Sequence, residues 1–433
     1  MQTAQAEGAE VMDVTTHLGA PRDPRFVNEM ARGLTGSEIL KIAGEVRAMI
    51  ARGEDVLNLT VGDFDPKVFP IPQKLGQAIA DALARGETTY PPADGMPALR
   101  EAVRQSWERE LGLRYPLESV LVASGGRPLI YALYRSVVEA GDTVVFPTPN
   151  WNNNFYCHLM GAREVAVPTR AEDGFMPTAA LLAPHLKDAR LLALCTPLNP
   201  SGTMMSEAQL REVCDLVLAE NARRSQTGER PLLVLFDQLY RLLTLGGNRH
   251  LTPVHVAPEM AAYTIFVDGI SKSYAATGLR VGWGIGPPSV IASMKDVVSH
   301  MGAWAPRPEQ VATAAWLGDA EGNEAFLKTM RADIAERLDL LFEGFQKMAA
   351  EGLPVQAIAP QGSVFMSVRF NVPGRSTEDM RRLLLEKGRV ATIPFRAFGL
   401  ADDAGWHRVS VCAAQVDALR QGLDRIRSVL ASL

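Results

Sequence analysis

Cysteine is scarce in this chain: Cys157, Cys195, Cys214 and Cys412 are the only four among 433 residues. Their wide spacing excludes the close pairs of a zinc or redox motif, and four thiols in so long a chain are far from a disulfide-dense secreted scaffold. Cys195 and Cys412 lie in apolar, strand-like runs, which predicts buried free thiols and no metal. An excess of one charge is also missing, with 44 basic against 49 acidic residues and a net charge of −5. That balance excludes the basic footprint of a nucleic-acid or acidic-membrane binder. No apolar run approaches the roughly 20 residues of a membrane span. The first 26 residues carry early acidic positions and no apolar core of a signal peptide. Repeats and low-complexity tracts are lacking too. The expectation is a cytoplasmic, soluble protein that acts on small molecules, with a frayed N-terminal arm.

What is present is ordinary globular material, 47% hydrophobic and 21% charged, enough chain for two or three domain-sized units. Helix-like Gln73–Arg85 and Pro97–Leu111 precede strand-like Val120–Ala123. Helix-like Pro128–Ala140 and strand-like Thr143–Phe146 follow, then apolar runs at Leu191–Cys195, Leu232–Phe236, Thr264–Val267 and Val281–Ile285. Near-continuous apolar strands separated by helices predict an α/β fold with a mostly parallel central sheet covered by helices. A long helical pattern from Arg307 to Glu351, strand-like Ser363–Phe370, helix-like Ser376–Lys387, Val390–Ile393 and a last helix Ala414–Leu430 predict a smaller α+β domain. The early helix Ser37–Arg52 and strand Val56–Thr60 are expected to join it. The expected division is therefore an arm over 1–30, a small domain from both chain ends (31–70 plus 307–433) and a large domain over 71–306. The polar stretch 220–231 reads as a surface loop.

The chemistry lies at the strand ends, where open α/β sheets collect their ligands. Ser271-Lys272 follows one strand and Arg280 stands eight residues on. A protected lysine amine forms a Schiff base with an aldehyde, and an arginine fork suits a phosphate. Aldehyde and phosphate together describe pyridoxal 5'-phosphate (PLP). Asp237 and Tyr240 follow the run ending at Phe236; a carboxylate there suits a protonated pyridine nitrogen. Asn199-Pro-Ser-Gly-Thr203, Ser124-Gly-Gly-Arg127 at a strand-to-helix turn and Pro149-Asn-Trp151 follow three further strands. Taken singly, these are a turn, a glycine-rich helix start and a core tryptophan. Their joint order is far more specific than any one of them.

On these motifs the chain resembles the class I/II aminotransferases of PLP fold type I over nearly its whole length. It looks closest to bacterial aspartate aminotransferase-like proteins. Leu59-Thr-Val-Gly-Asp63, Tyr90-Pro-Pro-Ala-Asp-Gly95, Pro360-Gln-Gly-Ser-Val-Phe365 and Gly405-Trp-His-Arg-Val-Ser410 extend the likeness. By resemblance, Lys272 is the Schiff-base lysine and proton carrier, Asp237 pairs with the pyridine nitrogen, and Asn199 and Tyr240 hold the phenolic oxygen. Gly126, Arg127 and Arg280 contact the phosphate, with Ser271 or Ser124 in place of the serine that the family often has at Gly269; Trp151 stacks on the ring. Tyr90 reaches the phosphate from the other subunit of a homodimer with shared active sites. Arg408 grips the substrate α-carboxylate, assisted by Asn199 and Gly62.

Three departures stand out: Gly269 where the family often has serine, Gln238 in place of glutamate after the aspartate, and Pro394–Phe398 in place of a Pro-Gly segment. For the side chain of the amino-acid substrate, Arg127 stands where some bacterial aspartate aminotransferases carry a lysine that reads a distal carboxylate. Ser37 aligns with a family serine near that group, and Arg396 is a second candidate. The expectation is an acidic amino acid such as aspartate, with a 2-oxo acid such as 2-oxoglutarate as acceptor. Asn154 is expected to hydrogen-bond Asp237. A β-lyase, an amino-acid oxidase and an aminotransferase for non-acidic amino acids use the same cradle and remain alternatives. A transcription regulator built on this domain would need a DNA-binding module ahead of it, and the roughly 30 preceding residues are not basic.

Overall fold

The computed structural model describes residues 12–18, 23–401 and 404–433. The chain divides after Gly36. The N-terminal unit contributes short helical turns, of which Glu29–Gly33 is capped by the Asn28 side chain accepting from the Ala31 amide.

In the main unit, seven strands form one sheet: β1 (Val120–Ala123), β2 (Thr143–Thr148), β3 (Arg163–Pro168), β4 (Ala189–Cys195), β5 (Leu233–Asp237), β6 (Thr264–Gly269) and β7 (Gly282–Ile285). Their spatial order is β1-β7-β6-β5-β4-β2-β3. All run parallel except β7, which is antiparallel to both neighbours. Alternate residues serve opposite faces, as a period of two requires. Val122, Val145, Leu192, Val234, Phe236 and Phe266 pack on one side with Leu99, Trp107 and Val213. Leu121, Val144, Leu191, Leu233, Leu235 and Ile265 pack on the other with Leu129, Leu133 and Met294. Burial on both faces is why these strands read as unbroken apolar runs.

A second core surrounds a four-stranded antiparallel sheet of β8 (Val355–Ala357), β9 (Phe365–Phe370), β10 (Ile393–Pro394) and β11 (Trp406–Ser410), in the order β10-β11-β9-β8. Helices Ala320–Ala350 and Val416–Ala431 cover it with Leu338, Phe345, Leu419 and Ile426. The early strand Leu57–Asn58 pairs in parallel with Val390–Ala391, which joins the two chain ends.

The fold corrects several expectations. Residues 220–227 are no loop but the last two turns of a helix, Glu207–Thr227. Arg223 and Arg224 grip Glu220 at 2.7 and 2.6 Å, and Gly228 ends the helix in the left-handed conformation. Polar composition there marks a charged helix end held by i,i+3 and i,i+4 pairs. The long helical pattern from Arg307 breaks at Asp319, whose side chain accepts from the Gly322 amide and starts a second helix. Val390–Ile393 splits between two sheets. Strand β3 and helices Asn153–Met160 and Pro288–Met301 went unforeseen. All four cysteines are free thiols, with Cys195 half-buried and the rest buried. Among the described residues no helix is long and apolar enough to cross a membrane.

Candidate active site

The carboxyl ends of β1, β2, β4, β5 and β6 lie along one edge, so the loops that leave them converge. β7 runs the other way, and its start therefore lies at the same edge, with Gly282 opposite Gly269. This brings Arg280 to the others although it precedes its strand. The result is a cavity of about 380 Å³, walled by Gly62, Gly126, Arg127, Trp151, Asn199, Asp237, Tyr240, Ser271, Lys272, Arg280 and Arg408. Eleven of the positions singled out from sequence thus meet in one place.

Lys272 sits in the short helix Ile270–Ser273 directly after β6. Its Nζ donates to the Gly62 carbonyl at 2.5 Å and lies 6.0 Å from the Tyr240 ring centre. Burial lowers its pKa, and the Arg408 and Arg127 charges act in the same direction, while Cys412 and Asp63 oppose them. A desolvated amine with a lowered pKa is one that a carbonyl compound can capture.

Asp237 ends β5. Among the described residues, the one hydrogen bond to its carboxylate is from the Leu239 amide at 3.2 Å. Burial pushes its pKa up to about 6, helped by the Asp268 carboxylate and opposed by the Leu239 bond and Lys272. Among the described residues no cation forms an ion pair with this carboxylate. The consequence for stability has a definite sign. A raised carboxyl pKa favours folding fully below the ordinary value near 3.8, and that contribution is lost as pH rises through about 6. Asp237→Asn is therefore expected to raise the melting temperature of the cofactor-free protein at pH 8, by up to about 3 kcal/mol of stability for a two-unit shift. At pH 4 the difference should shrink to under about 1 kcal/mol. Thermal melts at the two pH values check this; equal gains at both would contradict it.

Arg408, on β11, is only 1% exposed. Its Nη1 donates to Asn199 Oδ1 at 3.0 Å and its Nη2 to the Thr60 carbonyl, while Nε has no partner. Phe365 and Phe398 flank the guanidinium at 4.4 and 4.9 Å from its Cζ to the ring centres. Burial pushes its pKa down to about 10. A buried arginine without a carboxylate partner is costly, and it is ready to receive an anion. Phe398 comes from the segment that departs from the family's Pro-Gly pattern, so that departure supplies one of the plates.

The opposite end of the cavity is shaped by glycine. Gly125 has φ +89°, and a Cβ there would lie 2.5 Å from Arg280 Nη2. Helix Gly126–Val137 starts at this point, presenting free backbone amides. Arg280 donates to the carbonyls of Thr277 and Ser124, both at 2.9 Å, and has no carboxylate partner among the described residues. A Cβ on Gly269 would meet Gly282 Cα and the Val281 carbonyl, each at 2.8 Å. The backbones of β6 and β7 therefore approach too closely for serine at 269. Buried Ser271 lines the cavity instead. Arg127 lies over the half-buried Trp151 ring at 5.2 Å.

Several expected contacts are not made. Asn154 is exposed and forms no hydrogen bond with Asp237; Asn153 instead accepts from Tyr134 at 2.9 Å. The turn Pro149–Asn152 directs residue 153 inward and 154 outward. Arg396 is shared between Glu38 and Glu378, each at 3.0 Å, which removes it as a carboxylate reader. Ser37 starts helix Glu38–Ala51 without capping it. The cavity wall takes Ile39, Leu40, Ala43 and Arg47 from that helix and leaves Ser37 outside. Tyr90 also lies outside the wall, 83% exposed, with its ring against Trp304 at 5.4 Å. Thr60, Asp63 and Thr277 line the cavity without having been singled out, and Thr277 donates to Asp63. Their one sequence signal is position: two flank Gly62 and one lies between Lys272 and Arg280.

Comparison with known proteins identifies the family and the fold. Residues 54–426 match the family "Aminotransferase class I and II". An aspartate aminotransferase of Rhizobium meliloti (strain 1021) is 32% identical over 402 residues, covering 90% of this chain and 92% of that protein. The crystal structure of an aspartate aminotransferase from Rhizobium meliloti superposes with a TM-score of 0.84 at 29% identity, covering 94% of this chain and 98% of the other. The Thermus thermophilus aspartate aminotransferase with maleate gives 0.84 at 27% identity, covering 93% and 99%. The chain belongs to the class I and II aminotransferases: it is a PLP-dependent transaminase of fold type I, which transfers an amino group from an amino acid to a 2-oxo acid.

Proposed function

We propose that the amino donor is an acidic amino acid, aspartate first, with 2-oxoglutarate as acceptor, in a cytoplasmic homodimer. The observation that carries the substrate is charge. Arg127 and Arg408 both wall the cavity, and neither forms an ion pair with a carboxylate of this chain among the described residues. A dicarboxylate supplies one anion for each. The maleate in the Thermus thermophilus enzyme, itself a dicarboxylate, is in keeping with this.

The residues suit PLP on their own chemistry: Asp237 is a desolvated carboxylate in want of a cation, and Gly125 leaves the cradle beside Arg280 unfilled. In this reading Asp237 holds the ring nitrogen, Asn199 and Tyr240 the phenolic oxygen, and Trp151 one ring face. Gly126, Ser271 and Arg280 hold the phosphate, with Tyr90 reaching it from the second subunit. When bound, PLP supplies an electron sink for the charge left at the substrate's α-carbon. Lys272 anchors the cofactor at rest and moves the proton at that carbon. Arg408 and Asn199 orient the α-carboxylate, while Gly62 positions the lysine amine through its carbonyl. The division into an arm (1–30), a small domain (31–70 plus 307–433) and a large domain (71–306) belongs to the same proposal.

A panel of amino acids mixed with the PLP-loaded enzyme tests the donor: acidic ones should discharge the visible colour fastest. Arg127→Ala should lower kcat/KM for aspartate relative to alanine by about 10²-fold, the scale of a charge-assisted hydrogen bond. An unchanged ratio would remove Arg127 from side-chain recognition.

A further inference from the structure

Helix Glu38–Ala51 lays Ile39, Ala43 and Arg47 along the cavity wall. These positions are four residues apart and share one helix face. At 1.5 Å per residue they climb about 6 Å per step, so an apolar wall ends in a cation. Arg47 is exposed and makes no ion pair or hydrogen bond among the described residues. The acid nearest to it on the helix, Glu45, is engaged by Arg381 at 3.2 Å. The other cavity arginines have settled positions: Arg408 between two phenylalanines, Arg280 on two carbonyls and Arg127 over Trp151.

We propose that Arg47 is a second specificity-determining residue, which reads the distal carboxylate of dicarboxylic substrates longer than aspartate. Resting on the acidic-substrate reading above, this assigns the two ends of the chain-length range to different arginines. Arg127 stands beside the ring-stacking tryptophan and suits a short side chain. To reach Arg47, a side chain passes Ile39 and Ala43, two buried apolar residues, which suits a methylene chain. Glutamate and its longer homologues have that form: methylenes against the wall and a carboxylate at the far end.

Arg47→Gln removes the charge, keeps a polar unbranched side chain at an exposed position and should not disturb folding. The PLP-loaded enzyme is titrated by calorimetry with succinate, glutarate and adipate, and with butyrate as the monocarboxylate control. In the wild type all three dicarboxylates should bind more tightly than butyrate. In Arg47→Gln the dissociation constants of glutarate and adipate should rise about tenfold at low salt, and that of succinate less than twofold. The loss should shrink towards 0.5 M salt, because an exposed charge is screened. Steady-state kinetics should show kcat/KM for glutamate falling relative to aspartate by a similar factor. A glutarate-to-succinate ratio unchanged by Arg47→Gln overturns the assignment and leaves the acidic-substrate reading standing. Dicarboxylates that bind no better than butyrate in the wild type overturn that reading itself, and this proposal with it.

Discussion

Lys272→Ala should lower transamination by at least about 10⁴-fold, the upper range for a lost general acid–base group, with anchoring of the cofactor lost as well. The reason is geometric. Within the cavity Lys272 is the one lysine, and the arginines around it stay protonated at working pH and cannot take a proton. The substitution should not weaken the fold. It removes a desolvated amine whose one hydrogen bond among the described residues is to the Gly62 carbonyl, and it leaves the short helix Ile270–Ser273 intact. The measurement is turnover with aspartate and 2-oxoglutarate, together with borohydride reduction and a thermal melt. A variant that melts normally, takes up PLP that borohydride no longer fixes covalently to the chain and turns over at the background rate fits the assignment. Turnover within tenfold of wild type would rule Lys272 out as the anchoring lysine.

Arg408→Ala should cut kcat/KM for every α-amino acid by about 10² to 10³-fold, since truncating one member of a buried hydrogen-bonded charge pair costs 2–5 kcal/mol. Arg408→Lys should recover little, because one ammonium cannot reproduce the planar fork held between Phe365 and Phe398. Two comparisons separate binding from folding. An amine without an α-carboxylate should react equally poorly with wild type and variant. A dicarboxylate such as succinate should raise the melting temperature of the wild type and not of Arg408→Ala, because a ligand stabilises only the state that binds it. The burial that pushes Arg408 down to about pKa 10 is the cost that a bound carboxylate relieves. Equal losses for the amine and the amino acid would move Arg408 from substrate binding to structure.

Much of the site was legible because most of its residues follow a strand, and strands buried on both faces are the loudest pattern in a sequence. Asn199, Asp237 and Lys272 could each be placed at a strand end without knowing which strands were neighbours. Errors fell where short-range signals compete. The end of helix Glu207–Thr227 reads as a loop because its charges are visible and their pairing is not. Asn154 and Asn153 are indistinguishable in sequence, and one turn decides which of them faces inward. Arg396, expected as a carboxylate reader, is neutralised instead because Glu38 and Glu378 are far apart in the chain and close in space.

Local chemistry, carried by residue type and by order along the chain, is what the sequence determines: a lysine after one strand, an aspartate after another, glycines at a helix start, and hence the fold class and the cofactor. Tertiary structure alone decides which charges remain free. An arginine becomes a ligand-binding group by what fails to neutralise it, and that depends on partners hundreds of residues away. It is why Arg408 and Arg47 are available to an anion and Arg396 is not.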